Sequence, residues 1–221
     1  MEELASGEWK YLIYPGSSPM GVVVVHEILG VSDYVRSVGE QLSKMGVWAA
    51  VVDLFRGRVA RTLEEGRGLA AGLKREDVLD NLSRAVGLLR ERAGPSARIG
   101  TMGFCMGGGY ALLGACALDL AFCVDYYGML ADIEDLKGLK GPVVLFLASE
   151  DPRVTPWAYE VFLPAATRDK KRVDLHLYPY TRHAFHRPGW EGHDPAAAAD
   201  AWAKSVAFIE LMRSRAREHW E

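Results

Sequence analysis

The sequence predicts an α/β fold: a mostly parallel, doubly wound sheet with helices on both faces, in a single domain over residues 1–221. Three observations predict it. Apolar, β-branched runs of strand length alternate with amphipathic runs of helix length. The run Gly21 to His26 holds four consecutive valines, the pattern of a strand buried on both faces. No linker-like stretch, internal repeat or low-complexity segment divides the chain.

In order, the first strand is read at Trp9 to Tyr14, and the turn Pro15-Gly16-Ser17-Ser18-Pro19 leads into the valine strand. A helix follows, capped by Ser32 or Asp33, lined by Val35, Val38, Leu42 and Met45, and ended by Gly46. Val47 to Asp53 is the next apolar strand. Arg56 to Gly72 is rich in glycine and arginine and reads as a loop with a weak helix. Asp77 to Ala93 places Val78, Leu82, Ala85, Val86 and Leu89 on one helical face, and Gly94-Pro95 stops it. Strand 97–103 and helix 107–117 follow, then a strand at Phe122 to Tyr127 and a polar connection from Gly128 to Gly141. Pro142 to Ala148 is a strand, Pro156 to Ala166 a helix, Val173 to Tyr178 the last strand and Pro195 to Arg217 the last helix. Crossovers between the parallel strands are expected to be right-handed.

Hydrophobic residues make up 49% and charged residues 25%, as in ordinary soluble globular proteins. A net charge of −3 gives no basic footprint for nucleic acid. No apolar run approaches the ~20 residues of a membrane span. The start Met1-Glu2-Glu3-Leu4 shows no apolar secretory segment. A cytoplasmic, reducing location is expected, with all three cysteines as free thiols and neither nucleic acid nor membrane as partner.

The chemistry is concentrated at Gly103-Phe104-Cys105-Met106-Gly107-Gly108. A strand runs into it and a helix out of it. This is the strand–turn–helix setting of G-x-S-x-G nucleophiles in α/β hydrolases, with cysteine in the central place. Glycines two before and two after Cys105 let strand and helix pass close to it. A helix N-terminus behind Cys105 favours a thiolate. In that fold the acid and then the histidine follow the nucleophile along the chain. Asp151, after strand 142–148, and His183, after strand 173–178, occupy those places. His183 would accept the thiol proton and return it to the leaving group. Asp151 would hold the imidazole tautomer and stabilise the imidazolium. The oxyanion donors would be the backbone N–H groups of Met106 and Ile28.

Each residue has a plainer reading. Cys105 is compatible with a small buried hydrophobe, and Asp151 with a turn cap before Pro152. His183 competes with His176, His186 and His193; strand position marks His176 as structural, and His186 is the closest rival. Cys116 and Cys123 read as core residues. The cysteines lack zinc spacing, so no metal is expected, and the roles above call for no cofactor. The glycines from 103 to 109 lie mid-chain without a Walker lysine, which argues against a phosphate loop.

Five motifs together resemble the dienelactone hydrolase (carboxymethylenebutenolidase) family over nearly the whole chain. They are His26-Glu27-Ile28-Leu29-Gly30, the Cys105 turn, Tyr126-Tyr127-Gly128, Glu150-Asp151-Pro152-Arg153-Val154 and His183-Ala184-Phe185. The resemblance implies an α/β-hydrolase fold and a Cys105–His183–Asp151 triad, and favours His183 over His186. It implies that Glu27 meets the resting thiol and helps deprotonate it; the plainer readings are a helix cap or an arginine pair. It also implies that Arg187 binds a substrate carboxylate and that Tyr126 and Tyr127 border the substrate. Family substrates are small unsaturated lactones bearing a carboxylate, such as 4-carboxymethylenebut-2-en-4-olide, opened to maleylacetate. The stretch Arg61 to Leu73 departs from the family's best-known pocket, having Arg61 and Arg67 but no aromatic residue. Three functions follow: a hydrolase of small anionic lactones or esters, a general carboxylesterase or thioesterase, or a non-catalytic thiol sensor on the same fold.

Overall fold

The computed structural model describes residues 1–214. They build an eight-stranded sheet in the order β1-β2-β4-β3-β5-β6-β7-β8. Its strands are β1 Glu2–Ser6, β2 Trp9–Tyr14, β3 Met20–Val25, β4 Trp48–Asp53, β5 Arg98–Phe104, β6 Cys123–Tyr126, β7 Val143–Ala148 and β8 Val173–Tyr178. Only the pairs β1–β2 and β2–β4 are antiparallel; every pair from β4 to β8 is parallel.

The valine run is the centre of this sheet. β3 lies between β4 and β5 and is buried along its whole length. Its pleat sends Val22 and Val24 to one face and Val23 and Val25 to the other. On the first face pack α1 (Asp33–Lys44), through Val35, Val38 and Leu42, and α7 (Pro195–Ser214), through Ala201, Ile209 and Met212. On the second pack α3 (Arg75–Ala93) and α4 (Met106–Ala117), through Val78, Leu82, Ala111 and Leu112. The expected doubly wound layering is therefore present.

Four details extend or change the sequence reading. β1 was not foreseen, because it is an edge strand whose Glu2 and Glu3 face solvent and leave no apolar alternation. The weak helix within 56–72 is α2 (Leu63–Ala71), capped by Thr62, whose hydroxyl accepts from Glu65 N. The polar connection after β6 contains a 3₁₀ turn at Ile133–Gly138. The helix expected at 156–166 spans α5 (Val154–Trp157), a π-helical turn (Ala158–Phe162) and α6 (Leu163–Arg168). The widened turn comes just before Pro164, which has no N–H for an α-helical bond. The expected end of the last helix at Arg217 lies outside the described residues. No helix among the described residues is long and apolar enough to cross a membrane.

Candidate active site

Four of the singled-out side chains follow the carboxyl ends of parallel strands: Glu27 after β3, Cys105 after β5, Asp151 after β7 and His183 after β8. That edge is where open α/β sheets bind ligands. Cys105 is the residue between β5 and α4, with φ 54° and ψ −121°. A non-glycine residue held there stores ~1–3 kcal/mol of strain, which the surrounding packing must sustain. Two glycines allow that packing. A Cβ on Gly103 would lie 2.0 Å from Gly107 O, and one on Gly107 2.3 Å from His26 O. Cys105 N donates to Tyr126 O at 3.0 Å, tying the turn to β6.

Asp151 is buried, and each of its oxygens has a separate task. Oδ1 accepts from Arg153 N at 2.9 Å and Val154 N at 3.0 Å, at the start of α5. Oδ2 lies 2.5 Å from His183 Nδ1. Burial alone would raise the carboxyl's pKa, but the imidazole and the two N–H donors outweigh it and hold it below its ordinary value. The ionised carboxylate therefore fixes the proton on Nδ1 and leaves Nε2 for other partners. Burial likewise would lower the pKa of His183. The bond to Asp151 and the neighbouring Cys105 sulfur reverse this and raise it to about 10. The His183 side chain is 35% exposed and that of Asp151 3%, so the imidazole is open where its carboxylate is sealed.

The rival histidines have other partners. His186 Nδ1 lies 2.7 Å from the Tyr34 hydroxyl, and burial pushes its pKa down to about 4. His193 Nδ1 donates to Phe185 O at 2.9 Å. His176 stacks on Phe146 in the sheet. Cys116 and Cys123 are buried core thiols, and burial pushes Cys116 up to about 12.

Glu27 is almost fully buried. Its Oε2 accepts from Leu29 N at 2.6 Å and its Oε1 from Ser32 Oγ at 3.3 Å. Ser32 is the residue preceding α1, yet its hydroxyl turns to Glu27 instead of capping that helix. Arg187 Nε lies 3.2 Å from Glu27 Oε1, a charge pairing without hydrogen-bond alignment. Burial raises the Glu27 pKa, and these partners offset it only in part.

A cavity of about 550 Å³ opens over this edge. Cys105, His183, Asp151, Glu27, Arg187, Tyr127, Met106 and Ile28 all line it. Met106 is the first residue of α4, so its N–H has no partner within the helix. Tyr126 is the exception. Pleat alternation sends its ring into the core between Phe104 and Phe146, and its hydroxyl pairs with Ser205 Oγ of α7 at 2.7 Å. Tyr127 packs in the same core cluster, its ring centroid 6.1 Å from that of Tyr126, and also reaches the cavity wall as its backbone leaves the strand at φ 45°.

Cavity residues that the sequence reading does not single out as site residues include Tyr34, Leu63, Met129, Arg153 and Trp190; Arg67 is noted there without a placement. Leu63 and Arg67 show that α2 forms one wall. Arg187 also lies over the Trp190 ring, 5.0 Å from its centroid. By contrast Arg182, the other arginine near His183, faces Glu150 and Glu191 at 3.5 and 3.6 Å.

Comparison with known proteins agrees with this fold. A putative carboxymethylenebutenolidase of Azospirillum brasilense is 29% identical over 208 residues, covering 88% of this chain and 88% of that protein. A probable 2-oxo-3-(5-oxofuran-2-ylidene)propanoate lactonase of Bradyrhizobium is 26% identical over 203 residues, 85% of this chain and 82% of that one. The crystal structure of a putative dienelactone hydrolase from Klebsiella pneumoniae superposes with a TM-score of 0.83 at 21% identity, over 91% of this chain and 92% of that one, which establishes the fold. The profile of the dienelactone hydrolase family matches residues 10–212. The chain therefore belongs to the dienelactone hydrolase family and is a carboxylic ester hydrolase.

Proposed function

We propose that the protein hydrolyses small anionic lactones or esters through Cys105, His183 and Asp151, by way of a thioacyl-enzyme. One observation carries the reading: a strained cysteine and a histidine bonded to a buried aspartate line the same cavity.

His183 Nε2 takes the Cys105 proton, giving a thiolate and an imidazolium held by Asp151. The sulfur attacks the carbonyl carbon, and the negative charge moves to the carbonyl oxygen. The N–H groups of Met106 and Ile28 stabilise that charge. Collapse breaks the ester C–O bond, and the imidazolium protonates the departing oxygen. In a lactone that oxygen stays tethered, so the ring opens. His183 then removes a proton from water, whose oxygen attacks the thioester. Breaking the C–S bond returns the thiolate and releases the acid.

Two features support an anionic substrate. Arg187 lines the cavity, and a guanidinium can bind both oxygens of a carboxylate. Arg67 and Arg153 also line it, and neither has an acidic partner among the described residues. The relatives named as lactonases and carboxymethylenebutenolidases support the same substrate class. Glu27, paired with Arg187 at rest, would assist deprotonation of the thiol once a substrate carboxylate engages that arginine. A thiol-sensor role finds less support, because the other two cysteines are buried with raised pKa values.

The test is hydrolysis of an aryl ester and a panel of carboxylated lactones by Cys105→Ala, with circular dichroism to verify the fold. Loss of turnover is expected; undiminished turnover overturns the proposal.

A further inference from the structure

The buried imidazole of His26 has no task in the reaction above, yet its two nitrogens are committed. His26 is fully buried at the end of β3 and packs against Phe55 with ring centroids 4.7 Å apart. Leu54 N lies 3.1 Å from Nε2, and an N–H can only donate. Nε2 therefore carries the lone pair and Nδ1 the proton. Nδ1–H donates to Glu27 O at 2.7 Å. Gly30 N donates to the same oxygen at 3.1 Å.

That oxygen belongs to the peptide unit that also contains Ile28 N–H. In a trans peptide the C=O and N–H point in opposite directions. Two donors on Glu27 O therefore aim Ile28 N–H the other way, and Ile28 lines the cavity with Cys105. Among the described residues that N–H makes no bond to the protein. The backbone of the same loop touches the nucleophile turn, since Gly107 leaves no room for a Cβ against His26 O.

We propose that His26 is a positioning residue: its Nδ1–H sets the Glu27–Ile28 peptide so that Ile28 N–H meets the oxyanion. The inference rests on the proposed hydrolysis at Cys105. The ring also ties β3 to the end of β4 through Leu54, so a purely structural role has to be separated from this one. Two substitutions separate them. His26→Asn places an amide N–H near Nδ1 and loses the acceptor for Leu54. His26→Gln places an amide oxygen near Nε2 and loses the donor to Glu27 O.

The readouts are thermal stability, kcat and KM for an activated aryl ester, and inhibition by an aryl trifluoromethyl ketone. That ketone forms a tetrahedral oxyanion on a thiolate and so reports the oxyanion donors directly. Losing a donor outright costs ~10²–10³ in kcat, so a misaimed one in His26→Gln is expected to cost about 10-fold or more, with KM within about twofold. Inhibition should weaken by the same factor as kcat/KM falls. His26→Asn should retain kcat within about threefold even where its melting temperature is lower. Equal kcat in His26→Gln and the unsubstituted protein overturns the inference, as does loss in both variants that follows stability alone. Should either variant not fold, imidazole ¹⁵N spectra of the unsubstituted protein decide. A neutral Nδ1–H ring that does not titrate across the accessible pH range supports the inference, and an Nε2–H ring overturns it. Cys105→Ala keeps the two questions apart, because its inactivity upholds the hydrolytic reading whatever His26 does.

Discussion

Arg187 Nε stands 3.2 Å from Glu27 Oε1, so the guanidinium that would meet a substrate carboxylate already faces one from the protein. The pairing is electrostatic and lacks hydrogen-bond alignment, which leaves the arginine's donors available to an incoming anion. Arg187→Ala is therefore expected to raise KM for a carboxylated ester or lactone. A hydrogen bond to a charged group is worth ~1.5–3 kcal/mol, which makes the rise about 10-fold or more. A neutral aryl ester of similar size should be unaffected in KM. The measurement is the ratio of the two KM values in both proteins; an unchanged ratio contradicts a carboxylate-binding role.

The Asp151–His183 contact predicts a pH signature. Burial lowers the pKa of His183, while Asp151 and the Cys105 sulfur raise it to about 10. The imidazolium that protonates the leaving oxygen should thus persist until pH rises through that value, and kcat/KM should fall on the alkaline side. Asp151→Asn removes a raising contribution and leaves burial in place. The alkaline limb is then expected to move to lower pH, alongside a large fall in rate. Full pH–rate profiles of both proteins check this, and a limb unmoved by the substitution contradicts it.

The nucleophile turn makes a stability prediction. Ala at position 107 would press its Cβ to 2.3 Å from His26 O and 2.4 Å from Val25 O, both backbone atoms that cannot swing aside. Gly107→Ala is expected to cost ~2–3 kcal/mol, as overpacking does. Gly68 in α2 is the control, because nothing lies within 4 Å of its added Cβ. There Gly→Ala should gain ~0.5–1 kcal/mol from helix propensity alone. Denaturant unfolding of the two variants compares them directly, and equal effects would contradict the close approach.

The sequence made legible those parts of the molecule that local physics dictates. Four consecutive valines have no solvent-facing position, so β3 reads as central. The turn around Cys105 needs Gly103 and Gly107 for reasons internal to six residues. The order of Cys105, Asp151 and His183 follows from strands that each end at one edge. The cavity walls are different, because they are assembled across the chain. Tyr34 lies on an amphipathic helix, Leu63 and Arg67 on a weak one, and Trp190 in a loop; only folding brings them together. Tyr126 and Tyr127 are neighbours in sequence and in one core cluster, yet only Tyr127 also lines the cavity, a difference set by a positive φ that nothing in two adjacent tyrosines announces. His26 is visible in the sequence as part of a motif, but the tautomer on which its proposed role rests is reported by Leu54 N, 28 residues away along the chain.

The most direct test of covalent catalysis at Cys105 is rapid acid quenching of the protein during turnover of p-nitrophenyl acetate, followed by mass spectrometry of the peptide containing that cysteine. The account predicts an acetyl group on Cys105 that appears with the first release of nitrophenol and disappears when substrate is exhausted. Steady turnover with Cys105 unmodified throughout, or with the acyl group on another residue, would contradict it.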